Sequence, residues 1–183
     1  MARVKHISWD DSLDVDVDEI NDDHHKLVDL FNLLSRAVED GDSIDYVDAV
    51  LEELITCTIW HFRHEERLML RYQYDGMELH KAEHSDLIEG VRAMQQMLRN
   101  ENRLPTSEDF DYLAEWLTRH IVGQDRRLGF YLAEVMEYHN FALQHYFKTD
   151  AVDYQQVLDE ALAQGEQLAS LVEDVPGTLH RLR

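Results

Sequence analysis

Apolar residues recur three and four positions apart through four long stretches of this chain, separated by short breaks rich in polar residues, glycine or proline. Side chains at that spacing return to one face of an α-helix, so each stretch predicts an amphipathic helix. The first runs from about Glu19 to Glu39 with Ile20, Leu27, Phe31, Leu34 and Val38 on one face, and ends near Gly41. The second follows Ser43, whose hydroxyl suits the free N–H groups of a helix start, and reaches Arg71 with Val50, Leu54, Cys57 and Leu68 in register. After a turn over Tyr72 to Gly76 the third carries Met77, Leu87, Val91, Met94 and Leu98. Pro105 and a cap at Thr106 or Ser107 open the fourth, which presents Leu113, Trp116, Leu117, Leu128 and Leu132. Connections this short make consecutive helices antiparallel neighbours. The expected fold is therefore all-α: an up-down-up-down antiparallel four-helix bundle with an N-terminal arm over residues 1–137, and a C-terminal helical extension over 138–183. In that extension Tyr154, Leu158, Ala161, Leu168 and Val172 make one more stripe, closed by Pro176 and Gly177.

Every one of the four stripes is interrupted by residues that are costly in an apolar core. His24 falls on the first, His61 and Glu65 on the second, His80 and His84 on the third, and His120 on the fourth with Asp125 close behind. Residues four apart share a helix face, so His61 with Glu65 and His80 with His84 are ready chelating pairs. His120 and Asp125 are five apart, roughly 140° out of line on a regular helix; a π-type bulge between His120 and Leu128 would bring them together. Buried ionisable groups are tolerated when paired or bound to metal, and a packed bundle brings all seven to one point. A structural zinc takes four ligands, fewer than are offered, whereas imidazole with carboxylate suits iron. Five imidazoles, two bridging carboxylates and a bridging oxo or hydroxo group fill all but one position of two six-coordinate ions. An open position walled by Leu, Ile, Phe and Trp, with no spare core carboxylic acid, favours a small apolar gas, dioxygen first.

Charge and cysteine use narrow the field. Lys and Arg total 17 against 38 Asp and Glu, a formal net charge of -21 that disfavours nucleic acid and anionic membrane surfaces as partners. Cys57 is the sole cysteine, so no disulfide framework or thiolate-rich cluster is expected, and it reads as a small apolar filler. No run of about 18 apolar residues occurs, so neither a signal peptide nor a membrane span is expected and the location is read as cytoplasmic. His6, His64, His139, His145 and His180 read as surface residues, and His25 lies about 100° off the stripe that His24 joins. Asp14, Asp16 and Asp18 have the opening spacing of a calcium loop, but Glu19 stands where glycine is required and His25 at position twelve, which rejects calcium. Trp9 reads as packing; Trp116 suits either the core or a ligand cavity.

Taken together, Ser8 and Trp9, the Ile-x-x-Asp-His run from Ile20 to His24, His-Phe-x-x-Glu-Glu from His61 to Glu66, the His80/His84 pair, and Trp-Leu-x-x-His-Ile-x-x-x-Asp from Trp116 to Asp125 resemble the bacterial hemerythrins over about residues 7–135. The resemblance implies two non-haem irons, one held by His80, His84 and His120, the other by His24 and His61 and carrying the vacancy, with Glu65, Asp125 and an oxo or hydroxo group bridging. It implies reversible dioxygen binding for storage, delivery or scavenging, with no catalytic residues. Two other functions compete: an oxygen or redox sensor signalling through the C-terminal helix, and a di-iron oxidase or a nitric-oxide- or peroxide-processing enzyme, which the histidine-rich ligand set disfavours. Asn21 stands where relatives often have Asp, with a small effect expected on a hydrogen bond behind the first ligand. The extension past the bundle is missing from the shortest relatives and is the expected surface for a homo-oligomer or a protein partner.

Overall fold

The computed structural model describes residues 4–146, with side chains described through Glu137. The chain divides after Met136 into two units, Met1–Met136 and Glu137–Arg183. The expected stripe from Tyr154 to Val172 and the closing Pro176 and Gly177 lie outside the described residues, as do the side chains of His139, His145 and His180.

Helix α1 spans Asp18–Glu39, α2 Ile44–Tyr72, α3 Met77–Glu101 and α4 Ser107–His120; a π-helical turn, Ile121–Asp125, then joins α4 to α5, Arg126–Tyr146. Local chemistry sets these limits. Gly41 takes a positive φ of 74° just past α1, a conformation glycine adopts without Cβ strain. The Ser43 side chain accepts the Tyr46 N–H and starts α2. Thr106 and Asp109 form a reciprocal capping box at the head of α4, with Arg103 donating to Asp109 at 2.7 Å. Gln73 and Asn102 close α2 and α3 in the left-handed conformation, common at helix C-termini.

The apolar faces meet in one core that includes Ile20, Leu27, Phe31, Leu54, Val91, Leu98, Phe110, Leu113, Leu128 and Leu132. Phe31 of α1 meets Phe110 of α4 edge to face, with centroids 5.9 Å apart. The arm before α1 is packed too: Ile7 and Asn32 exchange hydrogen bonds of 2.9 and 2.8 Å, and Val4, Leu13 and Val15 are buried. Gly129 lets α5 approach the arm, because a Cβ there would run into the Val15 carbonyl oxygen. Asn21 also serves this arm. Its Oδ1 accepts the Val15 N–H at 3.0 Å and its amide donates to Asp14 at 2.8 Å, so these bonds anchor the arm. Among the described residues no helix is long and apolar enough to cross a membrane.

Candidate metal centre

Each of the four helical columns contributes polar side chains to one buried point. His24 comes from α1, His61 and Glu65 from α2, His80 and His84 from α3, His120 from the end of α4 and Asp125 from the end of the π-turn. All seven are buried, Glu65 and Asp125 completely. The π-turn explains the last pair: an i→i+5 ladder widens the helix locally, and Asp125 Oδ1 lies 3.0 Å from His120 Nε2 despite the five-residue spacing.

The seven fall into two overlapping groups of converging donor atoms, Glu65, His80, His84, His120 and Asp125 in one, and His24, His61, Glu65 and Asp125 in the other. Both carboxylates belong to both. Asp125 turns Oδ1 toward His80, at 3.1 Å, and His120, and Oδ2 toward His24, at 3.2 Å. Glu65 Oε2 lies 3.1 Å from His84, 3.6 Å from His80 and 3.7 Å from His61. Imidazole nitrogens also face one another, Nε2 to Nε2, at 3.2 Å between His24 and His61 and 3.3 Å between His80 and His120. Nitrogens so placed cannot all carry protons, and Glu65 Oε1 is buried with no hydrogen-bond partner. Cations at the centre would satisfy these groups together, so the donor set suits a non-haem iron site.

Electrostatics prepare the ligands. Burial pushes the His61 imidazole down to about 4, and burial with the neighbouring His80 and His120 pushes His84 down to about 2, so both are neutral at pH 7. Burial opposes a charge on His120, yet Asp125 and Glu83 outweigh it and hold its pKa above the ordinary histidine value. Asp125 is likewise held well below the carboxylate range by His120, with His24 and His80, against its burial. Glu65 is driven well above that range by burial and then by the Asp125 charge.

A ring of carboxylates stands behind the histidines. Glu66 lies 3.2 Å from His84 Nδ1 and Glu83 3.2 Å from His120 Nδ1, while Gln124, on the π-turn, donates to Glu83 at 2.8 Å. Asp23 lies 3.9 Å from His61 Nδ1 and is held low in pKa mainly by His61. Such partners fix which nitrogen faces a metal. His64, expected as a plain surface residue, is half-buried and holds Asp23 at 2.8 Å and Glu19 at 3.3 Å. Sequence reasoning missed Glu83, Gln124 and the His64 contact, since each depends on which helices pack side by side; Glu66 and Asp23 adjoin ligands in sequence and were quoted in motifs without a role. His6 pairs with Glu39 at the surface, and His25 is exposed and stacks on Trp9 at 3.7 Å between centroids.

Phe62 walls the centre, its ring parallel to His84 at 3.7 Å. A residual pocket of about 10 Å³, walled by Leu27, Phe62 and Trp116, reaches His61, His120 and Asp125; that is roughly the room one water needs. The Trp116 N–H is taken by the Leu87 carbonyl at 3.0 Å and the Thr58 hydroxyl, also lining the pocket, by the Leu54 carbonyl at 2.8 Å. Trp116 thus lines the cavity. Cys57 does not: it is half-buried, packed against the edge of the core as the filler expected while also lining an outer groove, and donates to Glu53 at 3.7 Å.

Comparison with known proteins matches residues 15–129 to the hemerythrin family, described as the hemerythrin HHE cation binding domain. The crystal structure of wild-type hemerythrin is similar at 24% identity and a TM-score of 0.64, covering 69% of this chain and 98% of that one. A hemerythrin mutant is similar at 24% identity and the same TM-score, over 73% and 99%. Curated relatives tell a different story. Adenylosuccinate synthetase of Thioalkalivibrio sulfidiphilus is 64% identical over 52 residues, 28% of this chain and 12% of that protein. The same enzyme of Pseudomonas paraeruginosa is 52% identical over 52 residues, again 12% of its length. The chain thus spans about an eighth of the length of these curated relatives.

Proposed function

The chain belongs to the hemerythrin family, and from that premise we propose that its bundle binds dioxygen reversibly at two non-haem iron ions, for storage, delivery or scavenging. One observation carries the reading: the two oxygens of Asp125 face different histidine groups, His80 and His120 on one side and His24 on the other, as a carboxylate shared by two ions would. Glu65 would be the second shared carboxylate, His80, His84 and His120 would hold one ion, and His24 and His61 the other. Three histidines against two leaves the second ion with the open position. Bound iron would supply the electrons that dioxygen takes up and gives back.

The chain's own residues do the rest. Leu27, Phe62 and Trp116 give the small pocket apolar walls, and with the Trp116 and Thr58 donors already engaged those walls offer little to a polar ligand. Glu66 and Glu83 hold His84 and His120 with Nε2 inward. Among the described residues, the titratable groups at the centre are either proposed ligands or are engaged with one, as Glu66, Glu83 and Asp23 are, an arrangement that suits binding, and the -21 charge disfavours nucleic acid and anionic membrane as partners. The test is the visible absorption spectrum of reduced, iron-loaded protein before oxygen, with oxygen and after its removal. A band that comes and goes with oxygen is expected; prompt oxidation that oxygen removal does not reverse would overturn the proposal in favour of an enzyme or redox sensor.

A further inference from the structure

The small pocket at the centre is separated from the outside by one layer of side chains on two sides, and the two layers differ. Between α3 and α4 lies a cleft of about 460 Å³ that shares Leu87, Trp116 and His120 with the pocket. On the other side a groove of about 360 Å³ along α1 and α2 shares Leu27 and His61 with it. His61 belongs to the centre and Leu27 is 2% exposed within the core, so that second layer opens only if the centre or the core is broken; the Asp23–His64 pair closes it further. In the first layer His120 is likewise held, by Asp125 and Glu83, and Trp116 is 7% exposed in the core, but the third member, Leu87, is half-buried at its edge, and its carbonyl takes the Trp116 indole N–H.

We propose that small neutral ligands reach the centre through the α3–α4 cleft, that Leu87 and Trp116 form its movable partition, and that the cleft's acidic rim holds anions back. The inference rests on the small-ligand reading above. The rim carries Glu83, Asp86 and Glu115, with Arg119 4.0 Å from Glu115 at the exposed surface and His120 at the floor already paired with Glu83 and Asp125. In a chain of net charge -21 an anion meets repulsion along the whole approach, whereas a neutral diatomic meets none. Dimensions of a few ångströms fall inside the screening length of about 8 Å at physiological salt, so the rim acts where the ligand must pass.

Two readouts test this. In metal-free protein with Trp9→Phe and Trp60→Phe, Trp116 is the one indole left, and its fluorescence is quenched by dissolved oxygen or by iodide. Expected is oxygen quenching at least tenfold stronger than iodide quenching, with iodide gaining at least threefold in Asp86→Asn/Glu115→Gln while oxygen does not change. Equal quenching, or no response of iodide to the rim substitutions, overturns the charge barrier. In iron-loaded protein, Leu87→Ala should speed stopped-flow oxygen association at least threefold, and Cys57→Leu, which narrows the opposite groove, should leave it within twofold. A slowed Cys57→Leu with an unchanged Leu87→Ala overturns the route. Where Leu87→Ala melts early, Leu87→Val should show the same direction. Quenching needs no iron, so loss of reversible oxygen binding and loss of the route are told apart.

Discussion

At the scale of single residues the centre is a set of liabilities in the apoprotein that metal would turn into bonds. Glu65 shows it best, a fully buried carboxyl that burial and Asp125 push toward the neutral form. Glu65→Gln keeps the shape and cannot ionise to bind a cation, so the metal-free variant should melt no lower than the parent while its bound iron per chain falls to half or less; calorimetry with elemental analysis checks both. The histidines give a pH signature. The folded pKa of His61, about 4, lies below the ordinary value of 6.5, so as pH falls the unfolded chain takes up its proton first. Stability is unaffected by His61 above about pH 6.5 and is lost as pH drops from there toward 4, by on the order of 3 kcal/mol from this residue alone. His84 acts with the same sign over a wider window. Glu65 and His120, held above their ordinary values, act with the opposite sign over part of this range, so the signature of His61 is a difference: between pH 7 and pH 4 the urea midpoint of the metal-free protein should fall further than that of metal-free His61→Gln, and equal falls would contradict a buried neutral imidazole.

At the scale of elements the π-turn Ile121–Asp125 decides whether the fourth column serves the centre. One extra residue in the helical ladder brings Asp125 beneath His120, and Gln124 beside it reaches Glu83. A widened turn is a weak stretch of helix, held at both ends by groups that metal would fix. Amides of residues 122–126 should therefore exchange with solvent at least tenfold faster in metal-free than in iron-loaded protein, while those inside α2 change little; hydrogen exchange read by NMR distinguishes the two. The capping box at the head of α4 is remote from the centre. Thr106→Ala should cost about 1 kcal/mol of stability by denaturant unfolding and leave iron content unaltered. Gly129 is a different dependence: any side chain there displaces the Val15 backbone, so this element owes its place to an arm far from it in sequence.

At the scale of the whole molecule two terms dominate, self-repulsion and metal binding. A net charge of -21 works against compaction, and added salt screens it, so the metal-free protein should melt higher in 300 mM than in 10 mM sodium chloride. Ions that bind only the folded bundle add stability by mass action, roughly 4 kcal/mol at a thousandfold excess over Kd. Iron loading should therefore raise the melting temperature and shrink the salt effect, since cations neutralise part of the core charge.

Helix number, limits and core faces were legible in the chain because each rests on local chemistry: three-four apolar spacing, Ser43 and Thr106 as caps, Gly41 as a stop. The seven central residues were legible for a related reason, since His24, His61, Glu65, His80, His84 and His120 sit on apolar stripes where an unpaired polar group would be expensive, and the five-residue step to Asp125 called for a widened turn. What packing alone decided is whatever depends on two helices being side by side. Glu83 behind His120, His64 on Asp23, Asn21 holding the arm at Val15, Cys57 turned to an outer groove, and Trp116 poised between cleft and pocket are contacts between residues whose spacing in sequence carries no signal. Periodicity fixes which face of a helix is buried; the neighbour that a given side chain meets, and the space left between them, come only from how the faces settle against one another.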